Sequence, residues 1–155
     1  MTVFTISFFG HRQLNDPLTV EKKLHKIIQE LLTTREYVEF LIGRNGEFDQ
    51  VVASTVRRCK REIRNDNSSL VLVLPYETAE YRNNQQSFLE YYDEIEICEL
   101  SGNRHYKAAY QVRNGWMVEK SDLVVFCVEC QTGGAYTTMQ LAKKKLVPLV
   151  NLLDL

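Results

Sequence analysis

The sequence predicts an α/β fold, a three-layer α/β/α sandwich around a mostly parallel sheet. Six short apolar segments rich in β-branched and aromatic residues recur along the whole chain. Helix-like stretches separate most of them, and parallel neighbours need crossovers of that length. The 155 residues are enough to bury one core, so a single domain over residues 1 to 155 is expected.

The first segment, VFTISFF (3 to 9), alternates as a strand does, and the opening MTVFTISFFG lacks the basic leader and small-residue cleavage site of a signal peptide. A helix follows over residues 17 to 33, where Leu24, Ile27, Ile28, Leu31 and Leu32 recur at three- and four-residue steps. Asp16 is its N-cap and Pro17 its first residue; Lys22, three beyond Thr19, rules out a capping box there. YVEFLI (37 to 42) is the second strand. The next helix spans about Asp49 to Ile63, with Val51, Val52, Val56, Cys59 and Ile63 inward and the RRCKREIR charges on a solvated face.

LVLVLP (70 to 75) is the third strand, and residues 76 to 93 read as a long connection with one helix near 86 to 92, a candidate flap. EIEIC (94 to 98) is the fourth strand, followed by a helix from Arg104 to Lys120 and a fifth strand, DLVVFCV (122 to 128). A last helix from Ala135 to Lys145 leads to LVPLVNL (146 to 152). The architecture is Rossmann-like.

Net charge is -1, which gives no overall field for holding nucleic acid, and no apolar run approaches the roughly 20 residues of a membrane span. Cys59, Cys98, Cys127 and Cys130 read as reduced thiols of a cytoplasmic protein. Cys127 and Cys130 have CxxC spacing, but no second pair completes a zinc site, and the pair closes a strand instead of opening a helix. No metal site is expected.

In such a sheet ligands bind beyond the carboxyl ends of the strands. Three of those ends carry unusual loops: Gly10-His11-Arg12, Gly43 to Asp49, and Gln131 to Thr137. Amides at Gly133 and Gly134, together with the positive end of the helix starting near Ala135, suit a phosphate, with the Thr132 and Thr137 hydroxyls in reach. Arg12 would neutralise it, while His11 either bonds it or caps the turn. Asp49 is read as the N-cap that ties down the Gly43 to Gly46 loop, with a ribose-hydroxyl contact as the alternative. Neither a GxGxxG fingerprint nor a Walker GxxxxGK[ST] occurs. Tyr106, Tyr110, Arg113 and Met117 share one helix face, either as core or as an open wall where Arg113 meets a phosphate and a tyrosine stacks on a base. Trp116, one step off that face, is packing or an oligomer contact.

The order Gly10-His11-Arg12, Gly43-x-x-Gly46-x-Phe48-Asp49, LVLVLPY, Arg113-Asn114-x-x-Met117-Val118 and Gly133-Gly134-Ala135-Tyr136-Thr137 resembles the YpsA-like branch of the SLOG superfamily over nearly the whole chain. That superfamily includes DprA and the LOG phosphoribohydrolases. The LOG motif PGGxGTxxE matches at Gly133, Gly134 and Thr137, but Tyr136 replaces its third glycine and Gln140 its glutamate; Arg113 stands where the LOG arginine does. Gln140 cannot carry the charge that glycosidic cleavage needs.

The resemblance therefore implies a nucleotide-derivative binding protein, a sensor or regulator taking a nucleoside monophosphate, ADP-ribose or NAD as ligand, with no resident cofactor. The rival is a nucleotide-cleaving hydrolase using Glu129, Asp49 or Glu47. Single-stranded DNA binding in the manner of DprA ranks last, because Glu90, Asp93, Glu94 and Glu96 surround the aromatics of that region. Self-association is compatible with the aromatic stretch Phe88 to Tyr92.

Overall fold

The structure, a computed structural model, describes residues 1–101 and 105–155. Chain order is β1 (Val3–Gly10), α1 (Pro17–Thr34), β2 (Tyr37–Ile42), α2 (Glu47–Glu62), β3 (Ser68–Leu74), α3 (Ala79–Asn83), α4 (Gln85–Tyr91), β4 (Glu94–Ile97), α5 (Tyr106–Lys120), β5 (Leu123–Cys127), α6 (Gly134–Lys144) and β6 (Leu149–Asn151). The strands form one all-parallel sheet in the order β4-β3-β2-β1-β5-β6. The chain winds outward from β1 to β4, then returns to lay β5 on the other side of β1. The topological switch, where the crevice of such a sheet lies, is thus between β1 and β5.

Alternation along each strand divides the core into two layers. Ile6, Phe8, Phe40, Ile42, Leu70 and Leu72 face α1 and α2, packing with Leu24, Ile28, Val52 and Val56. Phe9, Leu41, Val71, Val73, Val124 and Phe126 face α5 and α6, packing with Met117, Val118, Met139 and Ala142. Each large side chain so enclosed contributes about 1.5–3 kcal/mol from removal of apolar surface. Ser7, fully buried in the second layer, pairs with the Ser121 hydroxyl at 2.6 Å and with Met117 O at 3.3 Å, which fixes the end of α5 against β1.

Asp16 caps α1, accepting from the Thr19 N–H at 3.2 Å and from its hydroxyl at 2.6 Å, with Pro17 in the first turn. Three expectations need correction. The last strand is only Leu149–Asn151: Leu146 turns through φ 58 and is 88% exposed, and Pro148 has no N–H for the ladder. Residues 76 to 93 hold two short helices, not one, and Phe88 and Tyr92 are buried in the core with Arg44 bonded to the Tyr92 hydroxyl. Their aromaticity serves this internal packing, so it offers no argument for self-association. Arg104, the expected start of the fifth helix, lies outside the described residues.

Glu39, half-buried in β2, has its carboxyl pushed above the usual range by burial, then by Glu94 and Glu96. A raised carboxylate pKa in the folded state means stability that is complete at low pH and lost as pH rises through it. Glu39→Gln should therefore raise stability at pH 7 by under about 1 kcal/mol, an advantage that disappears near pH 3; urea unfolding at the two pH values measures it.

Candidate functional site

The loop after β1 and the loop after β5 meet across the switch. His11 Nε2 accepts from the Glu129 N–H at 2.9 Å and the Cys130 N–H at 3.2 Å. An acceptor at Nε2 places the ring proton on Nδ1. A second clamp joins the loops after β1 and β2: the Glu47 N–H donates to Arg12 O at 2.8 Å, and Glu47 Oε1 accepts from the Leu14 N–H at 2.7 Å.

Gly46 sits beneath this clamp. A methyl group there would come within 2.5 Å of Arg12 Cα, and the obstruction is backbone. Gly46→Ala is accordingly expected to cost about 1–3 kcal/mol as the clamp is forced apart, measurable by chemical denaturation.

Gly46 is also the N-cap of α2, so Asp49 is not the cap; it lies in the first turn. From there its Oδ2 accepts the Asn45 N–H at 2.9 Å and ties down the loop, as expected of it by another geometry. Asp49 is 9% exposed, and burial pushes its carboxyl up, opposed by the Asn45 bond and by Arg113.

Arg113 is 2% exposed. Its Nη1 donates to Val73 O at 3.1 Å and its Nε to Asn114 Oδ1 at 3.0 Å, and Asn114 in turn donates to the Thr138 hydroxyl. Gly43 lies against the guanidinium, where a methyl group would stand 2.8 Å from Nη1. Burial lowers the Arg113 pKa, and Asp49 opposes that. The face carrying Tyr106, Tyr110, Arg113 and Met117 grades from exposed to fully buried, with the Arg113 guanidinium 5.1 Å from the Tyr110 ring centre and Tyr76 edge-on to Tyr110. It is wall at one end and core at the other.

At the switch Gly133 adopts φ 96 and ψ 174, a region essentially restricted to glycine, and α6 begins at Gly134. The first amides of α6 have no partner within the helix.

These pieces enclose one cavity of about 800 Å³. Of the expected site residues, Gly10, His11, Arg12, Gly43, Asp49, Arg113, Gly133, Gly134 and Ala135 line it. Gly46 stands behind Arg12. Thr132 and Thr137 do not line it: Thr132 is exposed on the loop, and the Thr137 hydroxyl turns back to Gly133 O at 3.0 Å, the local bond a threonine in a first helical turn readily makes. Polar and aromatic lining residues missed as site members include Tyr76, Lys107, Gln111, Asn45 and Asn114. Lys107 and Gln111 follow Tyr106 and Tyr110 by one residue each, so the helical face was drawn too narrowly. Gln140 is exposed and does not line the cavity.

A second, shallower cleft of about 750 Å³ lies between α2 and the α3–α4 pair, and Arg44 within it is bonded to Glu80 and Tyr92. The expected flap therefore bounds this cleft, and only Tyr76 of the connection reaches the larger cavity. The four cysteines are free thiols; Cys127 is pushed up to about 11 by burial, the opposite of a reactive redox thiol. Among the described residues no group of His, Cys, Asp and Glu is placed to hold a metal, and no helix is long and apolar enough to cross a membrane.

No family model matches the chain, and no curated protein matches it. Solved structures share its fold. The DNA processing protein A of Helicobacter pylori, described for its single-stranded DNA binding mode, superposes with a TM-score of 0.65 at 16% identity, over 94% of this chain and 63% of that one. DprA from Streptococcus pneumoniae gives 0.67 at 13%, over 94% and 49%. The molybdenum cofactor binding protein of the phototrophic bacterium Rippkaea orientalis gives 0.62 at 17%, over 96% and 76%. The chain thus spans less than two thirds of the DprA chains it resembles. Its fold is the Rossmann-like α/β one that these structures share.

Proposed function

We propose that this protein binds a nucleotide derivative, its phosphate seated on the Gly133-Gly134 loop and its planar base against the tyrosine wall. The observation that carries the reading is the convergence on one cavity of the α6 N-terminus, the exposed cations Arg12 and Lys107, and Tyr76, Tyr106 and Tyr110. Unpaired helix amides and a positive dipole end favour an anion, and tyrosine rings offer flat apolar area for a base. The cavity volume is in the range usual for small-molecule sites. The motif order resembles that of the YpsA-like branch, and free thiols suit a cytoplasmic setting.

A binding role, that of a sensor or regulator, is favoured over hydrolysis. Gln140 lacks the carboxylate and does not line the cavity. Glu47 is engaged with the Leu14 N–H and Glu129 is exposed and bonded to Asn15, which leaves Asp49 as the one of the three candidate carboxylates that lines the cavity. Single-stranded DNA, bound by the Helicobacter pylori relative, finds less support here: on α2 and just beyond it Arg58 pairs with Glu21, Lys60 with Asp93 and Arg64 with Asp66, which breaks up a basic track.

Calorimetric titration with AMP, ADP-ribose and NAD, followed by chromatography of each mixture, tests the proposal. Saturable binding with the nucleotide recovered intact is the expected result. Released base or ribose phosphate establishes the hydrolase instead, and tight salt-sensitive binding of an oligonucleotide without nucleotide binding establishes the DNA reading.

A further inference from the structure

Asp49 and Arg113 are both more than nine-tenths buried, and both line the cavity. Each is left with an unused hydrogen-bonding atom. Asp49 Oδ2 holds the Asn45 N–H, while Oδ1 takes no hydrogen bond among the described residues. Arg113 commits Nη1 and Nε, while Nη2 donates to none of them. The described buried side-chain atoms that are sealed off without a partner are Asn67 Oδ1 and Ser68 Oγ, so Asp49 Oδ1 and Arg113 Nη2 remain open to the cavity. A buried carboxylate and guanidinium with spare capacity are expensive to leave unsatisfied, and no direct ion pair joins them.

Burial pushes the Asp49 carboxyl up and the Arg113 guanidinium down, and the charge of each partly offsets that effect on the other. A phosphate brought to Arg113 would also approach the Asp49 carboxylate, in surroundings where like charges repel strongly. Apart from Asp49 no acidic residue lines the cavity, so the loop amides and the exposed cations Arg12 and Lys107 are left for an anion. The cavity thus offers loop amides and exposed cations to an anion, and in Asp49 with Arg113 a pair whose charges offset each other.

We infer that Asp49 and Arg113 together receive an uncharged group of the ligand that donates to the carboxylate and accepts from the guanidinium, while the phosphate stays at the Gly133-Gly134 loop. This rests on the nucleotide reading and assigns Arg113 a neutral partner in place of the phosphate. Two parts of a nucleotide carry that chemistry: a ribose hydroxyl, which donates and accepts through one oxygen, and the donor–acceptor edge of the base. Discrimination is expected to be sharp, because a ligand lacking the donor leaves Asp49 Oδ1 desolvated and unpaired.

The test is calorimetric titration of wild type and Asp49→Asn with AMP, 2′-deoxy-AMP, 3′-deoxy-AMP and N6,N6-dimethyl-AMP. AMP is used because ADP-ribose and NAD share its adenosine 5′-phosphate. In wild type one analogue is expected to bind at least tenfold more weakly than AMP, a deoxy analogue if the sugar is read and the dimethyl analogue if the base is. In Asp49→Asn, which keeps an acceptor for the Asn45 N–H, that penalty should collapse towards onefold. A purely structural Asp49 would weaken all four ligands alike and preserve the ratio, which overturns the assignment. So does wild type with equal affinity for the four, a result that needs no variant to fold. Wild type that binds none of them removes the nucleotide reading, and the assignment with it.

Discussion

Arg113→Ala is expected to destabilise the fold by about 3–5 kcal/mol in urea unfolding at pH 7, more than any surface change. The substitution does three things at once. It leaves Asp49, already raised by burial, without the compensating cation; it frees Val73 O and Asn114 Oδ1; and it opens space against Gly43. Removing one member of a buried pair of charges costs more than removing both. Arg113→Met with Asp49→Asn should therefore recover part of the loss, and recovery of none would mean that Asp49 is not electrostatically coupled to Arg113.

Gly134→Asp is expected to separate binding from stability. The position is exposed, and an added Cβ makes only ordinary contact, 3.6 Å from the Gln111 side-chain nitrogen. An acidic residue in the first turn of α6 agrees with the helix dipole, and loss of glycine lowers the entropy of the unfolded chain, so stability should hold or rise by up to about 1 kcal/mol. The same carboxylate would occupy or repel the anion position. Like charges brought together at a binding surface cost several kcal/mol, so the Kd for AMP should rise by about two orders of magnitude or more. A variant that unfolds like wild type and binds AMP as tightly would show that the loop is a turn and nothing further.

What the chain revealed in advance follows from which signals are local. The strands were legible because parallel strands buried on both faces read as continuous apolar runs, as 70 to 74 do. The Asp16-Pro17 start was legible because a cap and a first-turn proline act within a few residues. The start of α2 was not, since Gly46 caps it with no side chain and the acidic residue that ties the loop sits three positions on. The glycine loops drew attention to the end of the sheet where the cavity lies, and nine of the twelve expected site residues line that cavity. Spacing placed Arg113 on a face with two tyrosines but carried no information on depth, which is set by β3 supplying Val73 O and the loop after β2 supplying Gly43. The engagement of His11 Nε2 by two amides 118 and 119 residues away has no local signature at all.

The reading depends most on an anion occupying the start of α6. A crystal soaked with AMP tests it directly. The phosphate should lie within hydrogen-bonding distance, about 2.7–3.2 Å, of the first amides of α6, with the Arg12 guanidinium turned towards it and the adenosine reaching into the cavity beside Tyr110. Density for AMP in the cleft between α2 and α4, with the Gly133-Gly134 loop unoccupied, would contradict it.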